Sequence, residues 1–449
     1  MGRRTAPQRG GAAGATGGRG MTTVEYSMPG MRVSERYVDV PLDWADPSRG
    51  TIEVFVRELV DPDKRGADLP LLTYLQGGPG GANPRPLKAD GWIEEALDDY
   101  RVVLVDQRGT GRSTPLDAQI VAELGDAEAG ADYLACFRAD SIVRDLEHVR
   151  AHVYGGRKWT TLAQSYGGWL TLAYLSHAPE ALAAAYVCGG IPGNPMSADE
   201  VYRRTFDRVA AKTAEYYRRY PHDADAVAAI ADRLAAEPVL LPDGDVLTVR
   251  RFQSLGIDFG MKPGFERMHW LVEHAFIREG RLSEGFLADV LARTSSAANP
   301  LFWTLQESIY GDGPNGPTAW AAQRERDRRP EFGEDVRPLP FTGEMAFPWM
   351  FEEVRLLRGF APAVHALAER REWSRVFDPD RLAANEVPVA AVVYFDDMYV
   401  DSGLQLDTLG GLGNAQAWVT NEFEHDGIGS GRVLTRLRGL VRDRGGERR

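Results

Sequence analysis

Cysteine is almost missing from this chain: Cys136 and Cys188 are the two thiols in 449 residues. A disulfide framework is therefore excluded as a source of stability, and so few thiols fit a reducing compartment, so the expected location is the cytoplasm. Neither cysteine has a Cys-x-x-Cys partner, and both are expected to serve as small buried apolar groups rather than redox centres. No apolar run approaches the length that spans a bilayer. Positive charge is short as well. The 52 Lys and Arg are outnumbered by 65 Asp and Glu, for a net charge of −13, which argues against the basic face of a nucleic-acid binder. No His-Glu-x-x-His occurs, and no Gly-Lys-Ser/Thr follows the glycine-rich loop, so neither a zinc peptidase nor a P-loop is indicated. The expectation is no metal and no cofactor. Met1 to Gly20 has no apolar stretch after Arg3-Arg4, so it does not read as a Sec or twin-arginine leader. Residues 1–22 are expected to form a disordered tail.

What is present is enough apolar material for a large core, at 43% of residues. Short β-branched runs read as strands at 51–56, 69–75, 101–105, 159–163, 184–188, 387–395 and 415–420. Helical patterns at 141–153 and 169–176 lie between some of them. Such alternation predicts an α/β fold with a mostly parallel sheet flanked by helices, whose ligands bind at the carboxyl ends of the strands. The strand rhythm stops near Gly190 and resumes near Val387. Between them the sequence reads as helical at 199–217, 224–236, 264–278 and 283–294. The expected organisation is a core at 23–190, an inserted helical cap at 191–380, and the second part of the core at 381–445. A cap over the strand ends would shape access to the site and exclude water.

Chemistry concentrates in Ala163-Gln164-Ser165-Tyr166-Gly167, between a strand-like and a helix-like run. A serine there, with small residues two before and two after, has the nucleophile-elbow pattern. The tight turn lifts the hydroxyl clear of the sheet, and the following helix aims its first N–H groups at the reaction site. Ser165 then needs a base and an orienting acid, in the chain order Ser, Asp or Glu, His. Of the eight histidines, His425 alone lies beyond the resumed sheet. The acid is expected just after the run at 387–395, where Asp396, Asp397 and Asp401 stand. Asp397, in the turn, is favoured over Asp396, which ends the strand. The oxyanion hole is assigned to the N–H groups of Gly78, in Gln76-Gly-Gly-Pro-Gly-Gly81, and of Tyr166. Asp106-Gln-Arg-Gly-Thr-Gly-Arg-Ser113 reads as a structural turn tied by Asp–Arg pairing.

Three motifs, Gln76-Gly-Gly-Pro-Gly-Gly81, Asp106-Gln-Arg-Gly-Thr-Gly-Arg-Ser113 and Ala163-Gln-Ser-Tyr-Gly-Gly168, together resemble the proline iminopeptidase (prolyl aminopeptidase) family. These are serine peptidases with the α/β-hydrolase fold and a helical cap. The resemblance runs from about residue 30 to about 440. Gln76 stands where many members have His, and Ala163 replaces the usual Gly; both leave the backbone chemistry intact. The resemblance implies release of an N-terminal residue, preferably proline, from peptides through an acyl-enzyme. The substrate's charged amine must be paired on burial. The family uses cap glutamates for this, and the candidates here are Glu307 and Glu344, with Glu266 and Glu273 as rivals. Trp270, Tyr310 and Trp349 are candidate walls for a pyrrolidine ring. The alternatives are an esterase or amidase of the same fold, and a non-catalytic binding protein. Ser165 at the elbow speaks against dehalogenases and epoxide hydrolases, whose nucleophile is Asp.

Overall fold

A computed structural model describes residues 23–429 and 431–446; the tail expected at 1–22 lies outside them. Among the described residues nine strands form one sheet in the order β1-β2-β3-β5-β4-β6-β7-β8-β9. They are β1 (Val24–Met28), β2 (Met31–Pro41), β3 (Thr51–Val60), β4 (Leu71–Leu75), β5 (Arg101–Val105), β6 (Trp159–Gln164), β7 (Leu182–Cys188), β8 (Val389–Tyr394) and β9 (Ala415–Thr420). β1, β2 and β3 pair antiparallel, as do β3 and β5. From β5 through β9 every pairing is parallel. The order reverses at β4–β5–β6, the switch point at which an open α/β sheet opens a crevice for ligands.

The central strands read as continuous apolar runs because both faces are covered. Side chains alternate between two cores. Leu71, Val103, Ala163, Val187 and Val393 join the core on one face, with the helices Ala139–Val153 and Gly167–His177. Leu72, Leu104, Leu162, Tyr186 and Val392 join the other, with the helices Gly91–Asp99 and Gly431–Asp443. The helix that follows Ser165 is buried over ten of its eleven residues, so it is anchored in the core and its first turn is held firmly.

Between β7 and β8 the chain forms helices, among them Ala198–Arg219, Asp223–Ala236, Gly264–Glu273 and Glu284–Thr294. Among the described residues the only pairing in this stretch is two isolated bridges, Leu240 with Val246 and Phe276 with Leu282. The second bridge explains why the helix predicted for 264–278 stops at Glu273. The chain turns back at that point, with the Ser283 N–H donating to the Ala275 carbonyl at 2.8 Å. Among the described residues no helix is long and apolar enough to cross a membrane.

Candidate active site

Ser165 sits between β6 and the helix Gly167–His177 in the left-handed region, at φ 54°. Non-glycine residues avoid that region, and such strain persists only where the surroundings enforce it. Here they do. The Ser165 N–H donates to the Cys188 carbonyl at 3.0 Å, and its carbonyl accepts from the Gly168 N–H at 2.7 Å. A Cβ on Gly167 would overlap the Leu75 carbonyl oxygen, and one on Gly168 the Gly190 carbonyl oxygen. The turn therefore admits only glycine at these two places. Ala163, two residues before the serine, is fully buried and fits without a clash of that kind.

The elements carrying the other candidates end at the same edge of the sheet. Asp397 follows β8, and His425 follows β9. His425 Nδ1 lies 2.7 Å from Asp397 Oδ2, with both side chains almost fully buried. The second carboxylate oxygen of Asp397 accepts from the N–H groups of Tyr399 at 2.8 Å and Val400 at 3.1 Å. Both oxygens are thus occupied, and the carboxylate is fixed in orientation. Asp396 is partly exposed and faces a separate crevice with Lys262, Asn421 and Glu424. Asp401 caps the helix Ser402–Gly411 and pairs with Arg204 and Arg208. Burial alone would lower the pKa of His425. The Asp397 charge and hydrogen bond, aided by Glu344 and Asp426, outweigh it, and the net shift is upward. His425 Nε2 is buried and makes no hydrogen bond among the described residues. A base oriented at Nδ1 and uncommitted at Nε2 is the arrangement that proton abstraction from a serine requires.

The glycine loop after β4 reaches the elbow. A Cβ on Gly77 would lie 2.9 Å from the Ser165 Cβ, and Gly78 adopts φ 127°. Tyr166 precedes the first turn of its helix, where N–H groups have no partner within the helix. The Asp106–Ser113 turn braces this loop. Gln107 Nε2 donates to the Gln76 carbonyl at 2.9 Å. Asp106 binds Arg85 and the Arg112 N–H, while Arg108 forks onto Asp145 at 2.5 and 2.7 Å. The paired residues named by the sequence are therefore structural, and their ion-pair partners, Arg85 and Asp145, lie outside the motif.

Of the glutamates, two turn inward. Glu344 is partly buried. Desolvation raises its pKa to about 8, with His425 lowering it and Asp397 raising it, so it shares the field of that pair. Glu307 is buried, and its Oε1 accepts from the Trp320 N–H at 2.6 Å, while Oε2 has no bond among the described residues. Burial lifts its pKa to about 7. The rings of Tyr202 and Tyr310 pack 5.9 Å apart, and both acids raise the pKa of each; Glu307 itself lines a small cavity with Trp303, Thr318 and Trp320. Glu266 pairs with Arg219 at the surface, and Glu273 is exposed. Trp270 is 58% exposed and walls nothing, whereas Tyr310 and Trp349 are buried. Both cysteines are buried and free.

Two aromatic residues escape a reading based on motifs. The Tyr399 ring packs 5.0 Å from that of His425, and Trp169 packs 6.2 Å from Tyr310. Both line a cleft of about 410 Å³ with Met196, Val201 and Leu404. Trp169 lies four residues beyond Ser165, one helical turn away, and that spacing was the available signal.

Known proteins share this chain's sequence pattern. A family model described as the alpha/beta hydrolase fold matches residues 70–232. A proline iminopeptidase of Aeromonas sobria is 43% identical over 424 residues, covering 94% of this chain and 99% of that protein. Proline iminopeptidase aneH of Aspergillus aculeatus is 34% identical over 431 residues, covering 92% of this chain and 94% of that protein. With likeness that spans nearly the whole of both relatives, and the elbow motif seated at the switch point of its sheet, the chain belongs to the proline iminopeptidase family of α/β-hydrolase enzymes.

Proposed function

We propose that the protein is a serine exopeptidase that releases an N-terminal residue, preferably proline, from peptides. The observation that carries this reading is the buried His425–Asp397 pair at 2.7 Å, with Nε2 unspent beside a strained serine elbow. Ser165 Oγ attacks the carbonyl of the first residue while His425 Nε2 takes its proton. Negative charge gathering on the carbonyl oxygen is met by the N–H groups of Gly78 and Tyr166. His425 then protonates the departing peptide amine, and the acyl group remains on Ser165. Water, activated by the same imidazole, releases the free residue. Asp397 holds the imidazole tautomer and stabilises its charged form. Glu307 and Glu344 receive the substrate ammonium, whose burial without a partner would be prohibitive.

The division into a core at 23–190 and 381–445 with a cap at 191–380 belongs to the same proposal. It is supported by the helical chain between β7 and β8. A cytoplasmic site of action fits the two free thiols. Peptides are the proposed substrates, and neither nucleic acid nor a membrane is a proposed partner.

Turnover of prolyl β-naphthylamide, alanyl β-naphthylamide and a p-nitrophenyl ester tests the reading. Arylamide cleavage with proline preferred is expected. Ester turnover without arylamide cleavage would turn the assignment to an esterase. Failure to react with a fluorophosphonate would favour a binding role.

A further inference from the structure

The loop that carries His425 is held both by the core and by the segment inserted between β7 and β8. The core contributes the Asp397 contact, a hydrogen bond from Gln164 Nε2 to the His425 carbonyl at 2.8 Å, one from the Glu422 N–H to Thr420 Oγ1 at 3.2 Å, and the rings of Tyr394 and Trp418 against Phe423. The inserted segment grips three positions in a row of four. Lys262 Nζ donates to the Glu422 carbonyl at 2.8 Å. Lys212 Nζ, on the helix Ala198–Arg219, meets both carboxylate oxygens of Glu424 at 2.7 Å. The Gly260 carbonyl accepts the N–H of His425 itself at 2.9 Å. The acid's turn is gripped from the same place. The Tyr399 hydroxyl donates to the Ile257 carbonyl, and a Cβ on Gly260 would overlap the Tyr399 ring.

The Lys212–Glu424 pair is unlike the surface ion pairs of this chain. Its side chains are 8% and 17% exposed. An exposed pair of this kind contributes little, whereas removing one partner of a buried pair leaves an uncompensated charge that the structure moves to relieve. The residue next to that charge is the base. We propose that Lys212 is a positioning residue for the reaction: through Glu424 it fixes the loop of His425, so the base is in register with Ser165 only while the inserted segment is docked. This rests on His425 being the base.

Wild-type enzyme, Lys212→Met, Lys212→Arg and the double variant Lys212→Met/Glu424→Gln are compared. The double variant leaves no unpaired buried charge and guards against simple unfolding. Each is assayed for kcat and KM on prolyl β-naphthylamide and for the rate of fluorophosphonate labelling, both normalised to folded protein. Misplacement of a catalytic group by about 1 Å lowers rate by about 10²-fold. The expected result is a fall of that order in kcat for Lys212→Met and the double variant. KM should stay within roughly twofold, labelling should fall in step with kcat, and Lys212→Arg should recover most of both. A kcat within roughly threefold of wild type in the double variant would overturn the proposal. So would a fall in kcat while labelling stays fast. A wild type that neither labels nor cleaves would instead overturn the peptidase reading, and this inference with it.

Discussion

Replacing Asp397 with Asn changes one atom and removes one charge, and the surroundings dictate how the amide must sit. One carboxylate oxygen of Asp397 accepts two backbone N–H groups, from Tyr399 at 2.8 Å and Val400 at 3.1 Å. The amide NH₂ cannot occupy that side without facing two donors. It must therefore point at His425 Nδ1, 2.7 Å away in the native pair. Nδ1 then has to accept, the ring proton moves to Nε2, and the imidazole can no longer take a proton from Ser165. The same change at a serine-protease triad lowers kcat by about 10⁴-fold, equivalent to about 5 kcal/mol on the barrier. A loss of that order in kcat on prolyl β-naphthylamide is expected here. KM should change little, because Glu307 and Glu344 keep their places, and losing the Asp397 charge favours the ionised form of Glu344. Asp396→Asn should leave kcat within roughly twofold. A kcat loss below about tenfold in Asp397→Asn would refute this account of the acid.

Three further outcomes follow from the same geometry. Glu344→Gln and Glu307→Gln should each lower kcat/KM on prolyl substrates by about 10- to 10²-fold, the worth of a charged hydrogen bond. Steady-state kinetics check this, and unchanged values would remove both from the amine site. The two acids, raised to about 8 and about 7, must lose their protons to pair a cation, and His425 must be neutral to act as base. All three push the same way, so kcat/KM should rise between pH 6 and pH 8, more steeply than one proton allows, and Glu344→Gln should flatten the profile. A profile flat across that range would contradict it. Arg108→Ala strands Asp145, which among the described residues keeps the Trp44 Nε1 bond at 2.9 Å. Unfolding in urea should show a loss of about 3–5 kcal/mol, and a loss under about 1 kcal/mol would make the fork dispensable.

The sheet's parallel half was legible because strands buried on both faces must be continuously apolar, and the runs at 101–105 and 159–163 are. β1 and β2 were not. They form an antiparallel edge whose strands carry Glu25, Arg32, Glu35 and Asp39, and one face is open to solvent. That edge is held partly by charge. Glu35 accepts from both Arg57 on β3 and Arg112 in the turn after β5, a pairing between distant segments that no local pattern announces. In the candidate site, Ser165 was legible because its turn is a local device with a fixed residue code. His425 was legible from chain order alone. Asp397 was favoured over Asp396 by its place in the turn, and what each side chain faces agrees with that choice. Glu307 and Glu344 could be named as candidates by the family resemblance. Their inward placement and raised pKa values depend on packing between segments far apart in sequence. The Lys212–Glu424 pair, 212 residues apart, was invisible for that reason.

The central claim is that Ser165, activated by His425, stands in a pocket that takes an N-terminal proline. Fluorophosphonate labelling followed by peptide mapping tests it directly, with and without a peptide bearing N-terminal proline. The account predicts a single adduct on Ser165, slowed by that peptide and not by the same peptide with its terminal amine acetylated. An adduct elsewhere, or labelling indifferent to the free prolyl amine, would contradict it.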